Sequence, residues 1–213
     1  MYILFLCLCL YFYYLLNKYR REITTLQILT KIKPYLPKKT LIIGQSGCGK
    51  STLSSNLYKY IDNSELLHLD EYIFGPEWSY VPNDEFYDNV NSIINLHQNK
   101  HIIIEGVMFY KYYDACRKLL QNMIDNNKID NIIILKEHLC VRFFRIFKRS
   151  LFRFLGIEKQ GAGGKEKLTN ICEMFKIQYN NNKIYQDNLN NFEISLNCKY
   201  KKINIGSVSA YFL

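Results

Sequence analysis

The sequence predicts an α/β fold: a three-layer α/β/α sandwich around a mainly parallel, five-stranded sheet. Three observations predict it. Short apolar runs at Leu41–Ile43, Glu65–Leu69, His101–Ile104, Ile132–Leu135 and Ile203–Ile205 read as strands, and each of the first four is followed by a longer helical or mixed stretch. Ile102-Ile103-Ile104 and Ile132-Ile133-Ile134 are apolar at every position, as strands covered on both faces are. The first run leads directly into a glycine-rich turn and then a helical pattern.

Taken in order, the chain opens on Tyr2 to Leu16, which carry no charge. At ~1.5 Å per residue this run reaches only ~22 Å, against a hydrocarbon core of ~30 Å. Tyr11-Phe12-Tyr13-Tyr14 beside Lys18, Arg20 and Arg21 resemble an interfacial aromatic belt with a cytoplasmic basic flank. The expectation is therefore membrane association through residues 2–16, with the body of the protein on the cytosolic side; the alternative is a helix buried against the domain. A cleaved secretory signal fits poorly, since no basic residue precedes the run and no small-residue cleavage site follows it. Residues 1–21 thus form the apolar segment and its flank, 22–39 an amphipathic helix and linker, and 40–213 the main domain. Ile23, Leu26, Leu29 and Ile32 mark that helix, which Pro34 and Pro37 stop.

Gly44-Gln45-Ser46-Gly47-Cys48-Gly49-Lys50-Ser51 is a complete phosphate-binding loop. Gly44, Gly47 and Gly49 have no Cβ, so the backbone can curl around an anion, and the helix that follows adds the positive end of its dipole. Lys50 can reach the β- and γ-phosphates of a nucleoside triphosphate, and the Ser51 hydroxyl can ligate the Mg2+ that bridges them. Gln45, Ser46, Cys48 and Thr52 complete the nucleotide-contacting stretch. Leu53, Leu57, Tyr60 and Ile61 recur at helical spacing behind it.

Asp70 follows the second strand, at the sheet edge where ligands of open parallel sheets bind. It is a candidate to take the proton of an attacking hydroxyl or to hold the metal through water. Glu105 ends the third strand beside Gly106 and is the candidate acid for ordering the metal's water shell. Trp78 lies where an acceptor could stack, so Asp70, Trp78 and Glu105 are the candidate acceptor contacts. Asn83 or Asp84 can cap a helix carrying Phe86, Val90, Ile93, Ile94 and Leu96, and another covers Tyr112 to Ile124. In the helix from about Leu139 to Leu155, Arg142, Arg145 and Arg149 share one face, as an anion-neutralising stripe would. With Arg153, Lys159 and Gly161-Ala162-Gly163-Gly164-Lys165 they read as a mobile lid over residues 142–167. The Asn-rich tract from Tyr179 to Asn191 reads as a long loop or a helix end.

Composition sets the outer limits. The 213 residues, 48% hydrophobic, suffice for one core, and seven scattered cysteines with no CxxC point to neither zinc nor a disulfide framework. A thiol at Cys48 inside the loop suits a reducing compartment. The net charge of +9 is accounted for by the membrane flank and the segment from Arg142 to Lys167, so a nucleic-acid surface is not required.

The motifs resemble those of P-loop kinases of the adenylate-kinase and uridine-kinase type, and more closely the adenylate-kinase-like DNA topology modulation kinases. The resemblance covers Thr40 to about Arg153. It rests on Gly44–Ser51, on His68-Leu69-Asp70 with Trp78 downstream, on Glu105-Gly106, and on Asp130-Asn131-Ile132-Ile133-Ile134-Leu135 leading into Arg142, Arg145 and Arg149. It implies a sheet of order 2-3-1-4-5, use of ATP with magnesium, and transfer of the γ-phosphoryl group to a small acceptor such as a nucleoside, a nucleotide or a similar hydroxyl compound. Lys50 and Ser51 would serve phosphate and metal, Asp70 the acceptor hydroxyl, and the arginines the lid. Relatives often carry Asp where this chain has Glu105, and the part after Gly156 matches them poorly. Two rivals remain. One is a membrane-tethered nucleotide-binding adaptor or NTPase, and the other a kinase acting on a nucleic-acid 5′-hydroxyl. A GTPase, suggested by Asn127-Lys128-Ile129-Asp130, is set aside as a chance match, because that motif precedes its strand instead of following it and no DxxG lies near the metal end of the site.

Overall fold

A computed structural model describes Tyr19, Ile23 and residues 25–31, 39–75, 79–106, 114–126, 128–157, 168–196, 201–205 and 208–212. The run at residues 2–16, its basic flank, Pro34 and Pro37, Trp78, Tyr112, Asn127 and the glycine-rich stretch 161–165 lie outside these residues. Among the described residues no helix is long and apolar enough to cross a membrane.

The strands are β1 (Lys39–Gly44), β2 (Ser64–His68), β3 (His101–Gly106), β4 (Asn131–Leu135), β5 (Lys201–Ile205) and β6 (Val208–Phe212). They form one sheet of order β2-β3-β1-β4-β6-β5. The first four are parallel, with Ile42 of β1 opposite Glu105 on one side and Ile133 on the other. This corrects the expected five parallel strands. The fifth, at Ile203–Ile205, belongs to an antiparallel hairpin with β6, and it is β6 that pairs with β4, also antiparallel. A strand one tight turn before its partner can pair only antiparallel, whereas a parallel neighbour needs a crossover.

The helices are α1 (Lys50–Tyr60), the single turn α2 (Asp70–Ile73), α3 (Asn83–Leu96), α4 (Asp114–Asp125), α5 (Leu139–Phe154) and α6 (Leu168–Leu196). Alternation along each central strand serves both faces of the sheet. Leu41, Ile43, Ile102, Ile104, Ile132 and Ile134 pack with residues of α3, α4 and α6, while Ile42, Ile103 and Ile133 pack with Leu53 and Leu57 of α1 and with Ile28. Each such aliphatic side chain contributes roughly 1.5–3 kcal/mol on burial, which is why every position of these runs is apolar.

Two elements differ from expectation. Residues 25–31 are helical, with Thr25 and Ile28 fully buried and the expected Leu29 packed partly buried against the same cluster, whereas Leu26 is 51% exposed and Ile23 is exposed too; Ile32 lies outside the described residues. The Asn-rich tract is neither loop nor helix end but the interior of α6. Tyr185, Leu189, Phe192 and Leu196, at steps of four, three and four, form a buried stripe on the sheet, and that burial overrides the weak helix propensity of asparagine.

Candidate active site

The phosphate-binding loop links the C-terminal end of β1 to α1. Gly47 has φ +79° and Gly49, the residue before the helix, has φ +101°, a left-handed conformation that side chains with a Cβ adopt only at a cost. A Cβ on Gly44 would lie 2.6 Å from Cys48 Sγ and 2.7 Å from the Leu135 carbonyl oxygen. No side chain caps α1 and no acid sits in its first turn, so its first amide N–H groups are left facing the loop's concavity. Lys50 is 6% exposed, and its Nζ donates to the Gln45 carbonyl 3.4 Å away, within the nest. Burial pushes the Cys48 thiol up, which outweighs the charge of Lys50 and keeps the sulfur protonated.

Glu105 organises the neighbouring edge. The residue is 3% exposed at the end of β3, and Oε1 accepts from Ser51 Oγ at 3.0 Å and meets His68 Nδ1 at 2.6 Å. Register explains the second contact, since His68 stands directly opposite Glu105 in the β2–β3 pair. Burial raises the affinity of Glu105 for a proton, but the His68 bond, the Lys50 charge and the Ser51 bond together hold its pKa below the usual carboxylate value. His68 is correspondingly raised, first by that bond and against its partial burial. The second oxygen, Oε2, is buried with no hydrogen-bond partner.

Asp70 begins α2 at the same edge, half-buried, and its charge contributes to raising His68. Gly106 admits the turn after β2: a Cβ there would lie 2.9 Å from Leu69 Cβ, while Leu69 N donates to the Glu105 carbonyl at 2.9 Å. That contact ties the residue before Asp70 to the backbone of Glu105.

The arginine stripe faces the outside of the loop. Arg142 is 2% exposed; its Nε donates to the Ser46 carbonyl at 3.1 Å, and one terminal nitrogen donates to Asn182 Oδ1 at 3.0 Å and to Gln45 Oε1. Gln45 also donates to Asn182 Oδ1 at 3.2 Å and accepts from Gln186 at 3.2 Å, so α6 is tied to the loop as well. Arg145 donates to the Gly47 carbonyl at 3.1 Å, pairs with Glu137 at 2.9 Å, and comes within 3.9 Å of where a Cβ on Gly49 would stand. Arg149, on the next turn of α5, is half-buried. His68, Glu137, Asn182 and Gln186 carried no expected role. Only the β2–β3 register could have indicated His68, and only the i, i+4 spacing on an unsuspected helix could have indicated Asn182 and Gln186.

The GTPase-like motif is remote. Asp130 accepts from Lys39 N at 2.8 Å, at the start of β1 and so at the opposite sheet edge from the loop. Among the described residues no cluster of three or more His, Cys, Asp or Glu is arranged to hold a metal unaided.

No family model matches the sequence, and no curated protein matches it, so neither comparison connects the chain to the DNA topology modulation kinases. Among solved structures, the one described as "Structure of the Pnkp1/Rnl/Hen1 RNA repair complex" is similar at TM-score 0.43 and 22% identity, over 68% of this chain and 46% of that one. The chain thus spans about half the length of the solved chain it matches.

Proposed function

We propose that this chain is an ATP-dependent phosphotransferase that moves the γ-phosphoryl group of Mg-ATP to the hydroxyl of a small acceptor. The observation that supports it best is the junction of loop and acid: Ser51 of the anion nest is bonded to Glu105, whose other oxygen is buried without a partner. In this reading the amides from Gly44 to Thr52 hold the β-phosphate, and Lys50 exchanges the Gln45 carbonyl for phosphate oxygens. Arg145 lies close enough to the loop to follow charge spreading over the transferred group. Arg142 acts one step back, by fixing the loop's shape, and Arg149 extends the same cationic face.

The residues fit a magnesium ion, because an orphaned, buried carboxylate oxygen beside a serine hydroxyl is a hard-oxygen donor set that a hydrated divalent cation would satisfy. Ser51, Glu105 and Asp70 would hold it, directly or through water, and when bound it supplies charge neutralisation between the β- and γ-phosphates. Asp70 takes the proton of the acceptor hydroxyl as the phosphoryl group leaves ATP. His68 holds Glu105 in orientation. The test is steady-state ADP release and ATP titration for Asp70→Asn and Glu105→Gln. Turnover is expected to fall by about 10²-fold or more while Asp70→Asn keeps its ATP affinity. Full activity in Asp70→Asn, or a wild-type protein that does not bind ATP with magnesium, overturns the proposal.

A further inference from the structure

We propose that the acceptor is a neutral or cationic hydroxyl compound bearing no phosphate or carboxylate. The inference rests on the phosphotransfer reading and narrows its acceptor. From Ile61 to Asn99 the sequence holds eight acidic residues and not one Lys or Arg, in a chain whose net charge is +9. Six of the eight follow β2 at the ligand edge of the sheet, and five of these are among the described residues. Asp70 and Glu71 open α2; the chain then turns back, with Gly75 N donating to the Ser79 carbonyl and Val81 N to the Ile73 carbonyl, and α3 starts beside α2 with Asp84, Glu85 and, one turn on, Asp88. Glu71, Asp84, Glu85 and Asp88 are exposed.

Their field reaches the site. The Leu69 amide donates to the Glu105 carbonyl at 2.9 Å, and Asp70 and Glu71 are the next two residues of the chain, so their charges stand at the edge that carries Glu105. Independently, Glu105 Oε2, buried and without a hydrogen-bond partner, marks this same edge as a place where a ligand or its metal completes the structure. Asp84 and Glu85 also complement the dipole of α3, but that favours acids in one turn and does not account for the lack of any Lys or Arg across the whole span. Phosphate and carboxylate recognition uses Arg forks or Lys, and an anionic acceptor here would meet several carboxylates instead. Rejection by like charge is an efficient form of specificity. The opposite flank, with Arg142, Arg145, Lys148 and Arg149, suits the triphosphate, so donor and acceptor sides carry opposite signs.

The experiment is ADP release by the full chain with Mg-ATP and matched acceptors: adenosine against AMP, glucose against glucose 6-phosphate, and glucosamine as the cationic member. The neutral or cationic member of a productive pair is expected to show a kcat/KM at least about tenfold above its phosphate ester, and 0.5 M salt to narrow the gap. Glu71→Lys with Glu85→Lys should cut that ratio about threefold or more; Glu71→Gln, a milder change, should move it in the same direction, with thermal melting as the check on folding. A phosphate ester that matches or exceeds its neutral partner, or a ratio unmoved in folded charge-reversal variants, overturns this inference and leaves the phosphotransfer reading intact. ADP release that no acceptor raises, with ATP bound, overturns both.

Discussion

Arg142 offers the sharpest test of how the loop is held. The guanidinium is 2% exposed and donates to Ser46 O, Asn182 Oδ1 and Gln45 Oε1, joining α5, α6 and the loop. Arg142→Met keeps most of the volume and removes every donor. Gln45 Oε1 stays buried and the Ser46 and Asn182 oxygens half-buried, at up to about 1–3 kcal/mol for each that finds no new partner. Against this stands the desolvation cost of the guanidinium, which burial registers by lowering the Arg142 pKa. The net expectation is a loss of roughly 3–5 kcal/mol, because breaking a buried charged network from one side is costlier than never building it. Urea unfolding of wild type and variant, analysed at equal m, reads the loss. A double-mutant cycle with Asn182→Ala should give a coupling of about 1 kcal/mol or more. ATP affinity should drop at least tenfold in Arg142→Met, since the Ser46 carbonyl no longer anchors the nest. If stability and ATP affinity are unchanged and only kcat falls, Arg142 serves the transition state alone and the clamp argument is refuted.

Two more outcomes follow from the same geometry. Gly47→Ala places a Cβ 2.7 Å from the Arg142 carbonyl oxygen and 3.1 Å from its Cα, at φ +79°, so backbone must shift. Strain and clash together should cost about 2–4 kcal/mol and abolish tight ATP binding, and a variant as stable as wild type would contradict this. His101 is 1% exposed, contacts Thr40 Oγ1 through Nε2 at 2.9 Å, and is held neutral, its pKa lowered by burial to about 4, against the weaker opposing pull of Asp130. Between about pH 6.5 and 4 the unfolded chain binds a proton there that the native state refuses. Stability should therefore fall as pH drops through this window, by up to roughly 3 kcal/mol, at ~1.4 kcal/mol per unit at its steepest. Denaturant melts across the window should show a slope that shrinks in His101→Gln; an equal slope in both proteins removes His101 as its source.

Much of this was legible in the residues themselves. The apolar runs at β1, β3 and β4 announce strands buried on both faces, because only such strands tolerate isoleucine at every position. The loop announces itself because three glycines, a lysine and a serine at those intervals answer a single chemical demand, wrapping backbone around an anion. The acids Asp70 and Glu105 follow from their places at strand ends.

What the sequence by itself determined was local: which segments are strands, where the anion nest lies, and that the span from Ile61 to Asn99 holds no Lys or Arg. Such features depend on neighbours in the chain. Only the tertiary structure decided that β6 takes the place beside β4, that His68 stands opposite Glu105, that Arg142 grips the loop from outside, and that the Asn-rich tract is a helix whose Asn182 and Gln186 reach Gln45. These pairings join residues 37 to 141 positions apart. Their partners are selected by burial and hydrogen-bond satisfaction over the whole chain, which no local propensity encodes.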